Sequence, residues 1–170
     1  LAALIATILT RGIVRPLSGV VRVAGHDLCR QTDAERRGFR IRQIGLVFQE
    51  FELLEYLTVR ENILLPYRIN PALPLDRAVR QRVGAVAEAV GLAQTLDRYP
   101  HRLSQGERQR VALSRALITQ PRLILADEPT GNLDPQTSRT IVSLLLDQAR
   151  QTQATVLMVT HDHSLLTRFG

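Results

Sequence analysis

LSQGERQRVALSRALITQPRLILADEPTGNLD, residues 103 to 134, is the stretch on which the fold turns. A serine-glycine turn, Ser104 to Gly106, opens a helix that runs into Pro121. The segment Arg122 to Ala126 is apolar over Leu123 to Ala126, which predicts a parallel strand covered on both faces. Two adjacent acids, Asp127 and Glu128, close that strand, and a loop leads to a third acid, Asp134. Pro135 then occupies a favoured first helical position with Asp134 as cap. A serine-glycine turn, a paired acid at a strand end and a further loop acid in so short a span suit nucleotide hydrolysis.

The flanking residues extend the pattern. Upstream, Ile44 to Phe48 reads as a compact strand that delivers Gln49 into a loop. Downstream, aliphatic residues from Ile141 to Leu146 bury one side of a helix. Ala154 to Val159 reads as a second core strand, followed by Thr160-His161-Asp162. Strands alternating with helices predict a doubly wound α/β sheet. In such sheets ligands bind beyond the carboxyl ends of the strands. Gln49, Asp127, Glu128 and His161 all follow predicted strands, so they are expected on one edge.

Between the strands, residues 51–121 read as mainly helical. Thr58 with Glu61, like Thr32 with Glu35, has capping-box spacing, predicting one helix to about Tyr67. Asp76 caps a helix whose stripe is Val79, Val83, Val86, Ala87 and Val90, and Gly91 ends it. Near the start, Leu1 to Thr10 reads as a buried helix ended by Gly12, and Val20 to Val23 as a short strand.

These strings resemble the ATP-binding cassette (ABC) ATPase family along nearly the whole chain. L-S-Q-G-E stands at its signature motif, L-I-L-A-D-E at its Walker B strand with catalytic glutamate, and G-N-L-D at its D-loop. I-G-L-V-F-Q matches its Q-loop strand and V-T-H-D its switch histidine. The resemblance implies a P-loop NTPase-like parallel sheet core with an inserted helical subdomain. Residues 1–50 and 122–170 would form the RecA-like core and 51–121 the helical subdomain.

It also implies roles. Asp127 would hold Mg²⁺, a cation that takes few carboxylates and keeps its waters. Glu128 would polarise the attacking water, Gln49 would touch metal and water, and His161 would contact the γ-phosphate. Ser104, Gln105, Gly106, Glu107 and Asp134 would face ATP held by a second copy, in a head-to-tail homodimer. Gln105 departs from the usual glycine, leaving Ser104 and Gly106 intact. The full strings look most like a bacterial branch of lipoprotein-releasing, macrolide-export and cell-division ATPases. The implied partner is an integral membrane permease, with the ATPase cytoplasmic, on the inner face of the membrane. A degenerate regulatory cassette and a soluble ABC ATPase of DNA repair or translation are the alternatives.

Bulk properties agree. The 170 residues carry a net charge of +6 and contain 45% hydrophobic residues. All 22 basic residues are arginine, scattered among 16 acids; this suits a solvated surface, and no nucleic-acid partner is expected. The single cysteine, Cys29, fits a reducing compartment and is expected to be a small packing residue. No apolar run reaches the ~20 residues that span a bilayer. The sequence has no lysine, so it holds no Walker A loop, G-x-x-x-x-G-K-[S/T], to cradle phosphate. Leu1 to Leu9 resembles the helix that follows such a loop. The reading is therefore of a chain cut just after Walker A, expected to bind ATP weakly and hydrolyse almost none by itself.

Overall fold

The computed structural model describes residues 22–23, 25–71 and 73–168. The expected helix at Leu1 to Thr10 and the first half of the Val20 to Val23 strand lie outside them. A short antiparallel pair, β1 (Arg22–Val23) and β2 (His26–Asp27), is followed by α1 (Asp33–Gln43) and β3 (Ile44–Val47). Then come α2 (Val59–Ile63), α3 (Leu65–Ile69), α4 (Arg77–Ala89) and α5 (Gln105–Leu117). The chain returns to the sheet in β4 (Leu123–Asp127), crosses over through α6 (Pro135–Thr152) and ends its regular structure in β5 (Thr155–Val159).

The sheet is parallel, in the order β3-β4-β5, with Ile44 opposite Leu123 and Leu123 opposite Thr155. Ile124, Leu125 and Ala126 are all buried, which explains the unbroken apolar run: helices cover both faces of a central parallel strand. On one face Leu113, Ala116 and Leu117 of α5 and Leu145 and Ala149 of α6 pack against Val47, Ile124 and Ala126. On the other, Phe39 of α1 and Leu28 pack against Ile44 and Leu125. Gly45 lets α5 approach: a Cβ there would sit 2.6 Å from the Ala116 carbonyl oxygen. A second apolar cluster joins Val59, Ile63, Val83, Ala87, Leu92, Val111 and Ile118. Helix α5 contributes to both clusters and so fastens the helical stretch to the sheet.

The helix starts follow their caps. Thr32, Thr58 and Ser104 each form a complete capping box with the glutamate three residues on, a motif that satisfies two otherwise orphaned N–H groups. Asp76 accepts from the Val79 N–H at 2.8 Å, and Gly91, at φ 72°, lies just past the end of α4.

Three expectations need correction. The helix expected from Thr58 to Tyr67 is two, broken at Leu64. Pro66 has no N–H for the Asn62 carbonyl one turn earlier, so the α ladder cannot continue. Cys29 is exposed: in the tight 3-10 turn Leu28–Arg30 it is Leu28 that faces inward. The strand β5 is only half covered, with Thr155 exposed and Leu157 at 42% exposure. It pairs with β4 on one side, and no other strand joins it among the described residues.

Candidate functional site

The carboxyl ends of β3, β4 and β5 lie side by side because the three strands are parallel and in register. Asp127 is the last residue of β4, half-buried, opposite Val159 of β5. Glu128 follows with φ 45°, a left-handed value that non-glycine residues seldom adopt. Its N–H donates to the Val159 carbonyl at 2.9 Å, and its own carbonyl accepts from the Gly131 N–H at 3.1 Å. Such strain persists only where the surroundings over-determine it; two backbone bonds, one on each side of Glu128, hold the turn.

That turn brings two of the expected residues into contact. His161, two residues past β5, places Nδ1 2.9 Å from Glu128 Oε2. The imidazole is 78% exposed and the carboxylate side chain 21%. Oε2 itself is shielded from solvent, and the ring N–H is not aligned for a hydrogen bond to it. A buried carboxylate oxygen without a well-aligned donor keeps a lone pair for a further proton or cation.

Gln49 is exposed, two residues beyond β3. It lies against the loop that follows Glu128. Its Nε2 reaches Asn132 Oδ1 at 3.5 Å, and Asn132 Nδ2 donates to the Gln49 carbonyl at 3.4 Å. A Cβ on Gly131 would meet Gln49 Nε2 at 2.9 Å, so a side chain at 131 would displace the glutamine. The segment beyond Gln49 is pinned by Arg115 of α5, which donates to the carbonyls of Phe51, at 2.9 Å, and Glu52. Burial pushes that guanidinium below its ordinary value.

Ser104 is the N-cap of α5 and is exposed, as is Gln105; Gly106 and Glu107 are half-buried on the first turn, Gly106 beside Thr137 of α6. Ser104 Oγ donates to Glu107 Oε2 at 2.8 Å and accepts from the Glu107 N–H at 3.3 Å. Bonds from the Ser104 backbone N–H and hydroxyl hold the Glu107 carboxyl below its usual range. Asp134 is exposed and caps α6, accepting from Gln136 and Thr137 N–H groups at 3.0 Å each; its bonding to Thr137 lowers its carboxyl likewise. Ser104 and Asp134 therefore sit at neighbouring helix starts, apart from the Glu128–His161 contact. Gln109 and Arg115 were not singled out from the sequence, and Gly131 and Asn132 only as letters of the G-N-L-D string. Gln109 left one signal, a glutamine on the buried stripe 109, 112, 113, 116 and 117 of α5.

Among the described residues no three His, Cys, Asp or Glu side chains cluster as a metal cage. One strand-end carboxylate beside a buried carboxylate oxygen is instead the sparse donor set that suits Mg²⁺, which takes most of its ligands from water and phosphate. No described helix is long and apolar enough to cross a membrane.

A family model described as "ABC transporter" matches residues 4–131, three quarters of the chain. The chain belongs to the ABC transporter family. An uncharacterised ABC transporter ATP-binding protein of Mycobacterium tuberculosis is 45% identical over 157 residues, 92% of this chain and 62% of that protein. A lipoprotein-releasing system ATP-binding protein, LolD 2, of Rhodopirellula baltica is 41% identical over 89% of this chain and 61% of its own length. The chain thus spans about three fifths of these two ABC transporter relatives. Among solved structures, the dimeric post-hydrolysis state of the ATP-binding cassette MJ0796, bound to ADP and Pi, superposes with a TM-score of 0.74 at 33% identity. That match covers 89% of this chain and 66% of the other. The fold is that of ABC ATPase cassettes, an α/β architecture around a parallel sheet.

Proposed function

We propose that this chain supplies the hydrolytic half of one ATP site and the covering half of another, in the ATP-binding subunit of a bacterial transporter. The observation that carries this is the Glu128 turn: a strained acid at the end of a buried parallel strand, with His161 at 2.9 Å and an inward carboxylate oxygen left without an aligned donor. A surface acid has no need of that strain. The solved ADP- and phosphate-bound relative supports a nucleotide as the ligand.

In this reading Glu128 accepts a proton from the attacking water as it meets the γ-phosphate. His161 orients that carboxylate and lies toward the phosphate side, while Gln49, docked on Asn132, marks the far wall. Asp127 holds Mg²⁺, with Gln49 as a second contact. The ion, when bound, neutralises charge on the phosphates. Ser104 to Glu107 belong to the other site. The start of α5 offers free N–H groups and a positive dipole end to an anion. To donate to phosphate the Ser104 hydroxyl must turn away from Glu107 Oε2. A head-to-tail homodimer with ATP between the copies places Asp134 at the same interface; the dimeric relative supports it. Residues 1–50 and 122–170 act as the RecA-like core and 51–121 as the helical subdomain, with α5 packed in both apolar clusters. The membrane partner is an integral permease, with this subunit cytoplasmic and peripheral on the inner face of the cell membrane, in the lipoprotein-release, macrolide-export and cell-division branch.

Phosphate release from ATP by the complete gene product tests this. Turnover that needs Mg²⁺, and that a chelator removes, is the expected result. A complete gene product that binds ATP but releases no phosphate would contradict it and favour a regulatory cassette.

A further inference from the structure

The buried glutamine of α5, Gln109, sits where the two half-sites of one subunit meet. It is 0% exposed and lies on the apolar stripe of the helix that Ser104 begins. Its Nε2 donates to the Pro129 carbonyl at 2.5 Å, one residue past Glu128, and its Oε1 has no hydrogen-bond partner among the described residues. A buried polar group retained at such cost calls for an explanation. Leucine or methionine would fill the stripe without an orphaned oxygen.

The backbone bonds around Glu128 supply that explanation. The Glu128 N–H is held by Val159 and its carbonyl by Gly131. Pro129 has no N–H, so its carbonyl is its sole backbone bonding group, and Pro129 is itself buried. Gln109 is the side chain that holds it. Residues preceding proline are pushed away from α-type conformations, yet Glu128 has φ 45°. Without the Gln109 bond the turn keeps its bonds to Val159 and Gly131 but loses the hold on Pro129, which lets the strained φ relax and shift the carboxylate relative to His161.

We infer that Gln109 is a positioning residue for Glu128, and that through it a ligand at the Ser104 end of α5 acts on the same subunit's hydrolytic turn. The inference rests on the ATPase reading above. The link is short: Gln109 lies five positions along the helix from its cap Ser104, and one hydrogen bond joins Gln109 to the residue after Glu128.

The test uses the complete gene product with Gln109→Met, which keeps the volume and removes the donor, and Gln109→Asn, which keeps the amide but is too short to reach. Turnover per bound nucleotide should fall about 10- to 100-fold, the scale of a misplacement of about 1 Å. The KM for ATP should change far less. Amide hydrogen exchange at Glu128 and Gly131 should speed up while the middle of α5 stays protected. Parental turnover in either folded variant would overturn the inference, as would failure of both to fold, which would make Gln109 a core residue only. If the parent hydrolyses no ATP, the ATPase reading fails by itself. The exchange at Glu128 and Gly131 then still decides whether Gln109 holds the turn.

Discussion

Replacing Glu128 with glutamine is expected to cut ATP turnover of the complete gene product by about a thousand-fold, within the range of general-base losses. The substitution is isosteric, so the turn keeps its backbone bonds to Val159 and Gly131. Only the charge and basicity of the carboxylate go. Oε2 is shielded and has no hydrogen-bond partner among the described residues, so in this reading the carboxylate itself is the group that takes the proton. A thousand-fold corresponds to about 4 kcal/mol of lost transition-state stabilisation at 1.36 kcal/mol per tenfold. Binding of a fluorescent ATP analogue should stay within about threefold of parent, since an interaction felt only in the transition state lowers kcat and leaves binding alone. Turnover at the parental rate would remove Glu128 as the base. Equal losses in binding and turnover would make it a structural acid.

The second large effect concerns stability. Asn62→Ala is expected to destabilise the fold by roughly 3 kcal/mol, because a buried group left without its partner costs about 1–3 kcal/mol. Asn62 is 0% exposed. Its Oδ1 accepts from the Leu54 N–H at 2.9 Å, and its Nδ2 reaches the carbonyls of Leu54, Leu57 and Thr58 at 3.1, 3.0 and 3.0 Å. One side chain thus serves four backbone groups of the loop that runs from Gln49 into α2. Alanine leaves them without that partner. A urea titration measures the loss; an unfolding free energy within about 0.5 kcal/mol of parent, the scatter usual for surface changes, would show that water serves these groups equally well.

Local rules made much of this legible in advance. The apolar run Leu123 to Ala126 was long enough to name a covered strand, and the bonds at Thr32, Thr58 and Asp76 are those their spacing implied. The break at Leu64 is also written in the sequence, because Pro66 cannot donate to the Asn62 carbonyl. Contacts were not legible. Gln49 meets Asn132 across 83 positions, and Gln109 meets Pro129 across 20. The first exists because β3 and β4 pair side by side, the second because α5 packs on the sheet, and no local pattern encodes either. The resemblance placed Glu128 and His161 in one site, but not the 2.9 Å approach or the left-handed φ that shapes it. The half cover of β5 is not legible, because Ala154 to Val159 is as apolar as a central strand.

The central claim is that a sheet rim carrying Gln49, Asp127, Glu128 and His161 works against the Ser104 turn of a second copy. Light scattering of the complete Glu128→Gln protein, with and without Mg²⁺ and ATP, tests it most directly. The account predicts a mass that doubles when ATP is added and returns to that of a monomer when Ser104→Arg is introduced as well. A mass unchanged by bound ATP, or a dimer indifferent to Ser104, would contradict it.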